Sequence, residues 1–440
     1  MRFLGIGHSS DLGDLYLRLQ KQQHEVRVYS RDLAEHGTLT GLLTYVDSWE
    51  QQLSWIREAG SDGIILFETA EHGLAQDQLR REGFQVIGGS ELGDRLENER
   101  AYGQSALASV GLRTVPTHAF DDFERAVDFV QSHPRRYVFK LDGSETSSWR
   151  NYVGRAPDGS DVVALLRVQR ARLAEIGIHK PSFILMEHVT GVETGVGAYF
   201  NGREFLEPAC LDWEHKRFFP DDLGELTGEM GTLLTYRNSQ RLFAATLAKL
   251  APLLRESGYV GYINLNTLVN DEGIWPLELT CRFGYPGYAI LSVLQTEGWA
   301  PLFQRMLRRD GLSFETRSGY AVGVALTVPP FPYRYGYAEI SRGLPVAFDP
   351  SLSASERDRL HFVELALDQS GQLVASGTQG CLMIATGHGA SVLAARKSAY
   401  DLAERVYAPN IRYRTDVGAK FLSHEEAILT RLGYLEPHSS

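Results

Sequence analysis

Glu278, Thr280 and Arg282 alternate with Leu277, Leu279 and Cys281 in the stretch 276–284. Period-two alternation puts the three polar side chains on one face of a strand. The strand-like run 259–269 before it carries Asn264 and Asn266 at one parity and is joined to it through the turn 270–273. A carboxylate beside amide oxygens on one sheet face can hold a hard cation such as Mg²⁺, which also takes water and phosphate oxygens. Arg282 next to it can hold a transferring phosphoryl group. The competing reading of this pattern is the solvent-facing side of an antiparallel sheet.

Four other places carry chemistry. Lys140 ends the apolar run Tyr137-Val138-Phe139 and is followed by Leu141-Asp142-Gly143. A lysine at a strand end beside a glycine turn can reach a phosphate, although it can also be a snorkelling edge residue. Glu187 ends the run 183–187, and Glu193 follows six residues later past Thr190-Gly191. Carboxylates flanking such a bend can accept hydrogen bonds from an adenine amino group and a ribose hydroxyl, or can be two exposed strand-end acids. Glu214-His215-Lys216-Arg217 gathers three potential cations that suit a polyanion, or forms a solvated loop. Thr227-Gly228-Glu229-Met230-Gly231 follows as a loop whose backbone N–H groups can approach an anion.

The elements that must position these residues fall into three segments. In residues 1–90, strand patterns at 2–7, 25–30, 63–67 and 86–88 alternate with a helix at 11–22. This predicts right-handed crossovers and a small doubly wound parallel sheet. In residues 91–312 a helix is expected at 96–110, stopped by Gly111, and a second after Asp121-Asp122, which cap it, through 131. Strands are expected at 137–141, 183–187, 194–200, 204–211, 259–269 and 274–279, with a helix at 239–256. Asn201-Gly202 between apolar runs predicts a hairpin. Residues 313–440 add strands at 320–328, 363–367 and 381–386 and a helix at 391–406. The fold class is α/β in the first segment and α+β in the others.

The 440 residues carry 44 Lys and Arg against 55 Asp and Glu, a net charge of −11. That balance argues against nucleic acid or an anionic membrane as a partner, while a local cationic cluster can still bind a phosphorylated small molecule. The sequence holds no apolar run of the length a membrane span needs. Cys210, Cys281 and Cys381 are too far apart for metal-site spacing, and an odd set suits a reducing cytoplasm. Oligomeric state is not encoded in any of these features.

Taken in order, these pieces resemble phosphoribosylamine–glycine ligase and, through it, the ATP-grasp superfamily. Residues 88–90 and 96–100 are similar to the family's Gly-Pro-Ser and Leu-Glu-x-Ser-Lys segment. Residues 137–143 resemble its Val-Ile-Lys-Ala-Asp-Gly strand, and 187–193 its Glu-x-x-Leu-x-Gly-x-Glu segment. Residues 214–217 resemble Asp-His-Lys-Arg, and 227–231 resemble Thr-Gly-Gly-Met-Gly. Residues 278–286 resemble Glu-Phe-Asn-x-Arg-Phe-Gly-Asp-Pro, and 413–418 resemble Tyr-Arg-x-Asp-Ile-Gly. The likeness implies an ATP-grasp fold with a Rossmann-like N-terminal domain and a C-terminal α+β domain. It implies ATP and magnesium, with manganese as the alternative ion, and small carboxylate and amine substrates joined through an acyl phosphate.

By that resemblance Arg100 and Lys140 contact the ATP phosphates, Glu187 and the Val189 backbone the adenine, and Glu193 the ribose. Glu278 binds the metal, with Asn266 and Thr280 beside it. Arg282, His215, Lys216 and Arg217 are the expected catalytic cations. Glu214, Thr227, Gly228, Met230 and Gly231 are the expected substrate contacts.

The departures point to a changed acceptor. The family's Gly-Ser-Gly-Gly-Arg-Glu-His stretch, which helps hold a sugar phosphate, is replaced by Gly7-His8-Ser9-Ser10-Asp11. Its Gly-Lys-Gly-Val flap is replaced by residues 144–150, in which Ser147, Ser148 or Arg150 would have to close over the phosphates. Thr280 stands for the metal-binding asparagine and Tyr285 for an aspartate, with Asn266 placed to compensate. The competing functions are authentic phosphoribosylamine–glycine ligase and a non-catalytic nucleotide-binding module.

Overall fold

The structure is a computed structural model that describes residues 1–32, 37–141, 151–175 and 182–436. Strands β1 (Arg2–Gly7), β2 (Glu25–Ser30), β3 (Gly63–Phe67) and β4 (Gln85–Ile87) form a parallel sheet in the order β2-β1-β3-β4. Phe3, Leu4, Ile6, Ile64, Ile65 and Leu66 are all fully buried, because side chains pack on both faces of a crossover sheet. The chain leaves β1 toward β2 and returns on the other side as β3. The crevice at the carboxyl ends of β1 and β3 is therefore the topological switch point of this sheet.

The single helix expected at 96–110 is two helices, Glu91–Asn98 and Arg100–Ser109. The break is at Glu99, with φ −99° and ψ 85°, and neither glycine nor proline announces it. Ser90 caps the first helix by accepting from the Gly93 N–H. The break puts Arg100 at the start of the second helix, from which its guanidinium crosses to β6 and β15 (both given below).

A second, antiparallel sheet follows in the order β5-β8-β6-β7: β5 (Thr117–Phe120), β6 (Tyr137–Leu141), β7 (Tyr152–Val153) and β8 (Phe183–Glu187). Helices Phe123–Ser132 and Ser160–Glu175 cover one face, with Phe123, Val130, Tyr137, Phe139, Leu166 and Phe183 as the core. Asp122 caps the first of these by accepting from the Arg125 N–H at 2.9 Å.

The third and largest sheet is antiparallel and has eight strands. Its order is β15-β14-β9-β10-β13-β16, followed by Cys381–Gly389 and Leu360–Phe362. Here β9 is Val192–Asn201, β10 Cys210–Glu214, β13 Gly231–Thr235, β14 Val260–Asn270, β15 Gly273–Thr280 and β16 Tyr320–Thr327. The small hairpin β11 (Arg217–Phe219) and β12 (Leu223–Leu226) stands beside it. Strands from beyond residue 312 continue this sheet without interruption, so the segment 313–440 shares its hydrogen-bond ladder with the one before.

Four expected elements are corrected. The strand expected at 204–211 starts only at Cys210. Asn201 does make the turn, accepting from the Arg203 and Glu204 N–H groups. Glu207, however, then bonds to Leu312 and Phe314, and Pro208 has no N–H to pair. The helix expected at 239–256 is broken at Thr246, whose hydroxyl bonds back to the Leu242 carbonyl at 2.6 Å. The strand expected at 363–367 is only Leu365–Leu367, and Val363 and Glu364 form a bend that separates it from Leu360–Phe362 of another sheet. The Glu364 carboxylate accepts backbone N–H groups from Thr378, Gln379, Gly380 and Cys381. The helix expected at 391–406 spans Val392–Ala403.

The N-terminal sheet is joined to the large sheet by backbone. The Gly88 N–H donates to the Val260 carbonyl at 2.8 Å, and a β-carbon at Gly261 would overlap the Gly88 carbonyl oxygen. No rotamer relieves a clash with a main chain. Gly261→Ala is expected to lower stability by about 1–3 kcal/mol, the usual range for overpacking. Urea unfolding curves for the two proteins measure this, and unchanged midpoints would contradict the close approach.

Candidate active site

The cleft between the second and third sheets centres on Glu278. In the β14–β15 register Asn266 lies opposite Glu278 and Asn264 opposite Thr280. Asn266 also lies opposite Gly195 of β9, which in turn faces Asp212 of β10. Period two then places Glu193, Asp212, Glu214, Asn264, Asn266, Glu278 and Thr280 on one face. The alternation in the sequence has its partner in space: this face is turned toward the cleft.

Three cations from three elements converge on the Glu278 carboxylate. Oε2 accepts from Arg100 at 2.9 Å and from Lys140 at 3.0 Å. Oε1 faces the Lys216 ammonium at 3.3 Å. Lys216 also meets Glu214 at 2.9 Å and Glu193 at 3.3 Å. The Asn266 amide nitrogen donates to Glu193 at 3.0 Å and to Glu214 at 3.3 Å, which leaves its oxygen as the acceptor. Arg100 is steadied by the Leu141 carbonyl at 3.1 Å. Lys140, followed by Lys216 and Arg100, holds the Glu278 carboxyl well below the usual carboxylate range despite its burial. Burial pulls the Lys140 ammonium down. Burial acts on Lys216 in the same direction, but Glu214, Glu193 and Glu278 outweigh it and raise that ammonium.

Beside this polar cluster is an apolar one. Val115, Ile184, Met186 and Trp275 are buried together, with Val138, Val189, Leu268 and Leu277 against them. Arg113 lies over the Trp275 ring, 3.8 Å from its centroid. A pocket lined by Arg100, Lys140, Ile184, Leu277 and Glu278 takes in residues of both clusters. Val189 packs against the apolar one. The Glu187 carboxylate turns away to Arg135 at 2.5 Å. Residues 142–150, which include the expected flap, lie outside the described residues.

The remaining expected residues divide. The three-cation reading of 214–217 is corrected, because this segment continues an extended strand and neighbours point to opposite sides. Lys216 enters the cluster, whereas His215 points away. His215 is 3% exposed, and its Nε2 accepts the Gly418 N–H at 3.0 Å. Arg217 turns into the β11–β12 hairpin and donates to the Gly224 carbonyl at 2.7 Å. Arg282 is bound to Glu97 at 2.9 Å, and the charges of Glu97 and then of Asp11, in the turn after β1, raise the arginine.

Residues 227–231 are laced to 215–216. Thr227 bonds to the Lys216 carbonyl through both its N–H and its hydroxyl, and Met230 donates its N–H to His215. Met230 is a fully buried core residue, and a β-carbon at Gly231 would overlap the Gly323 carbonyl. Within this loop Gly228 is open, with nothing near its β-carbon position, and Glu229 is half-buried. Asp212 and Glu97 are members of the site that the sequence reading did not single out. The parity that Asp212 shares with Glu214 and Lys216 is the signal for it, whereas nothing local marks Glu97.

Among the described residues no group of three or more His, Cys, Asp or Glu converges as a metal site. Glu278, the Asn266 amide oxygen and the Thr280 hydroxyl still offer hard oxygens from facing strand positions. They fit an ion that takes few protein ligands and completes its shell from phosphate and water.

Burial, followed by the charges of Arg414 and Lys420, holds the His215 imidazole down at about 4. Its ordinary value is 6.5. Between those values the unfolded chain binds the extra proton. The neutral ring therefore stabilises the fold above pH 6.5, and this contribution is lost as pH falls through the window. Relative to His215→Asn, the wild-type protein is expected to lose up to about 3 kcal/mol between pH 7.5 and pH 4.5. Urea unfolding at both values tests it, and a stability difference that does not change with pH would contradict the buried neutral ring.

No family model matches the chain. Among curated proteins it is similar to the phosphoribosylamine–glycine ligase of Pseudomonas aeruginosa, 25% identical over 367 residues, which are 79% of this chain and 80% of that protein. Among solved structures it is similar to the phosphoribosylamine–glycine ligase of Thermotoga maritima. The TM-score is 0.71 at 22% identity, covering 95% of this chain and 100% of that one. It is also similar to the biotin carboxylase domain of Hydrogenobacter thermophilus 2-oxoglutarate carboxylase, solved with MgADP and bicarbonate. There the TM-score is 0.66 at 11% identity, covering 93% of this chain and 91% of that one. The chain has the ATP-grasp fold, and along most of its length it resembles phosphoribosylamine–glycine ligases.

Proposed function

We propose that this protein is an ATP-dependent ligase that joins a carboxylate to an amine through an acyl phosphate. The observation that carries the reading is the Glu278 carboxylate ringed by Arg100, Lys140 and Lys216 in the cleft between two sheets. Three cations held by one carboxylate form a site for a polyanion. A triphosphate would draw Arg100 and Lys140 to itself, and Glu278 would be released to face the metal with Asn266 and Thr280. Magnesium held there supplies charge neutralisation on the phosphate oxygens. The apolar cluster at Val189 would pack against the base, and Glu193 would face the ribose.

In the first step a carboxylate oxygen of the substrate attacks the γ-phosphorus and the bond to the β-phosphate oxygen breaks, releasing ADP. Lys140, Arg100 and Lys216 stabilise the charge spread over the transferred oxygens. In the second step the amine nitrogen attacks the acyl carbon and phosphate leaves, with one proton released from nitrogen. Exclusion of water by the two sheets protects the acyl phosphate between the steps.

The acceptor differs, on this proposal, from the phosphorylated amine that the relatives' name specifies. At the switch-point crevice the Asp11 N–H is taken by Glu68 at 2.9 Å. Glu68 is fully buried, and its carboxyl is pushed up to about 8 by burial and by Asp11. His8 is paired with Glu71 at 2.5 Å and Arg282 with Glu97. A phosphate there would find the Asp11 N–H, His8 and Arg282 already engaged. The alternative, the relatives' own reaction, draws on the similarity along most of the chain. Complementation of a purine-auxotrophic strain that lacks this ligase separates the two, with failure expected.

Glu278→Gln is expected to lower magnesium-dependent ADP release at least about 100-fold, a barrier increase of about 2.7 kcal/mol. Affinity for magnesium-free ATP should be kept or improved, because the variant frees three cations. The measurements are coupled-assay rates across a panel of carboxylates and amines, and titration calorimetry with ATP. ADP release that survives the substitution would remove Glu278 from the metal role. ATP binding with no turnover across the panel would favour the non-catalytic module.

A further inference from the structure

On the same sheet face, one strand further in, lies a group that the phosphoryl step does not use. Asp212 of β10 stands opposite Gly195 of β9, and a β-carbon at Gly195 would overlap the Asp212 carboxylate. The missing side chain is what admits Asp212 to this face. Asp212 is 6% exposed. Its Oδ2 accepts from the Asn264 amide at 2.6 Å. Its Oδ1 is buried and, among the described residues, meets no hydrogen-bond partner. Glu229, on the turn before β13, has a buried Oε1 in the same condition, and it feels the charges of Glu214 and Asp212. Thr232 lies opposite Glu214 in the β10–β13 register. It is 2% exposed, with a hydroxyl that is also unpartnered.

Buried carboxylate oxygens without donors are costly. The nearest described ammonium is committed elsewhere, since Lys216 is shared by Glu214, Glu193 and Glu278. Five carboxylates, Glu193, Asp212, Glu214, Glu229 and Glu278, interact here with three described cations, Arg100, Lys140 and Lys216. Carboxyl groups outnumber the described cations, so an anion finds no free cation here. Among the described residues, three oxygens at this place that can accept are unpartnered: Asp212 Oδ1, Glu229 Oε1 and Thr232 Oγ1. A primary ammonium has three N–H donors and no acceptor.

We propose that Asp212, Glu229 and Thr232 form the subsite for the amino group of the acceptor, which is a primary ammonium compound. This rests on the ligase reading for its place in the reaction, but the ammonium site itself is measurable without turnover. The location suits it: Asp212 is two residues from Glu214, which meets the Lys216 shared with Glu278, so the amine arrives on the face where the phosphoryl group is handled. Burial, and next the charge of Glu214, holds the Asp212 carboxyl up at about 7. Burial likewise raises that of Glu229. A bound ammonium would draw both back toward the ionised state.

The test uses the full chain with ethanolamine as probe, ethylene glycol as its uncharged counterpart and inorganic phosphate as an anion. Titration calorimetry is run with and without Mg·ADP. Ethanolamine is expected to bind, and the other two to bind at least 10-fold more weakly. Asp212→Asn and Glu229→Gln should each weaken ethanolamine binding at least 10-fold, with Mg·ATP affinity within 2-fold of wild type. Circular dichroism checks folding. Glu229 is partly exposed, so its variant carries the test if Asp212→Asn does not fold. Equal binding of glycol and ethanolamine, or variants that bind ethanolamine as wild type does, would overturn the subsite. Failure of the wild-type chain to bind Mg·ATP would instead overturn the ligase reading and leave the ethanolamine result to stand alone.

Discussion

One carboxylate serves as counterion to three cations. Arg100 starts a helix, Lys140 lies in the second sheet, and Lys216 follows β10 in the third. Each reaches Glu278 from a different body, so the ion cluster is also the joint at which those bodies meet. Lys140 is only 14% exposed, and a cation so placed is tolerated because the anion is within contact distance. Removing one partner of such a buried pair strands the other charge, which costs about 3–5 kcal/mol. A polyanion gains entry to the cleft by exchange: it takes over cations that already have an anion. The affinity such a ligand shows is a difference between two sets of strong interactions, so geometry and the metal decide it more than charge count does.

The surrounding architecture fixes where those three cations can stand. The break at Glu99 redirects the chain so that Arg100 begins a helix aimed at β15. The register that sets Asn266 across from Glu278 is kept by the long β14 ladder, paired on one side to β9 and on the other to β15. Glycine at Gly195 and Gly231 lets acids and backbone approach where a side chain would block them. The polar face is flanked by apolar packing in the Val115–Trp275 cluster, and low local polarity strengthens each ion pair inside it.

Much of this was legible in the residues. Alternation around Glu278 gave the polar face, and the parity of Asn264 and Asn266 gave its partner strand. Lys140 at a strand end was readable because four apolar or aromatic residues, Tyr137, Val138, Phe139 and Leu141, frame it. The failures have physical causes. His215, Lys216 and Arg217 form one charged run in sequence, but an extended backbone sends alternate side chains to opposite sides, so only Lys216 joins the cluster. The break at Glu99 and the one at Thr246 have no glycine or proline to mark them. The strand expected from Glu204 fails because Glu207 finds other backbone partners. Asp212 carried the correct parity all along, but an isolated acid in an apolar run reads as an edge residue until the glycine opposite it is seen.

The contact of Gly88 with Gly261 bears on how the cleft opens. Main chain pressed against main chain, with a hydrogen bond from Gly88 to Val260 alongside, leaves the N-terminal sheet and the large sheet no freedom to slide. Lys140 belongs to the sheet of β5 to β8 and Glu278 to the large sheet, so parting these two sheets costs the ion pair between them.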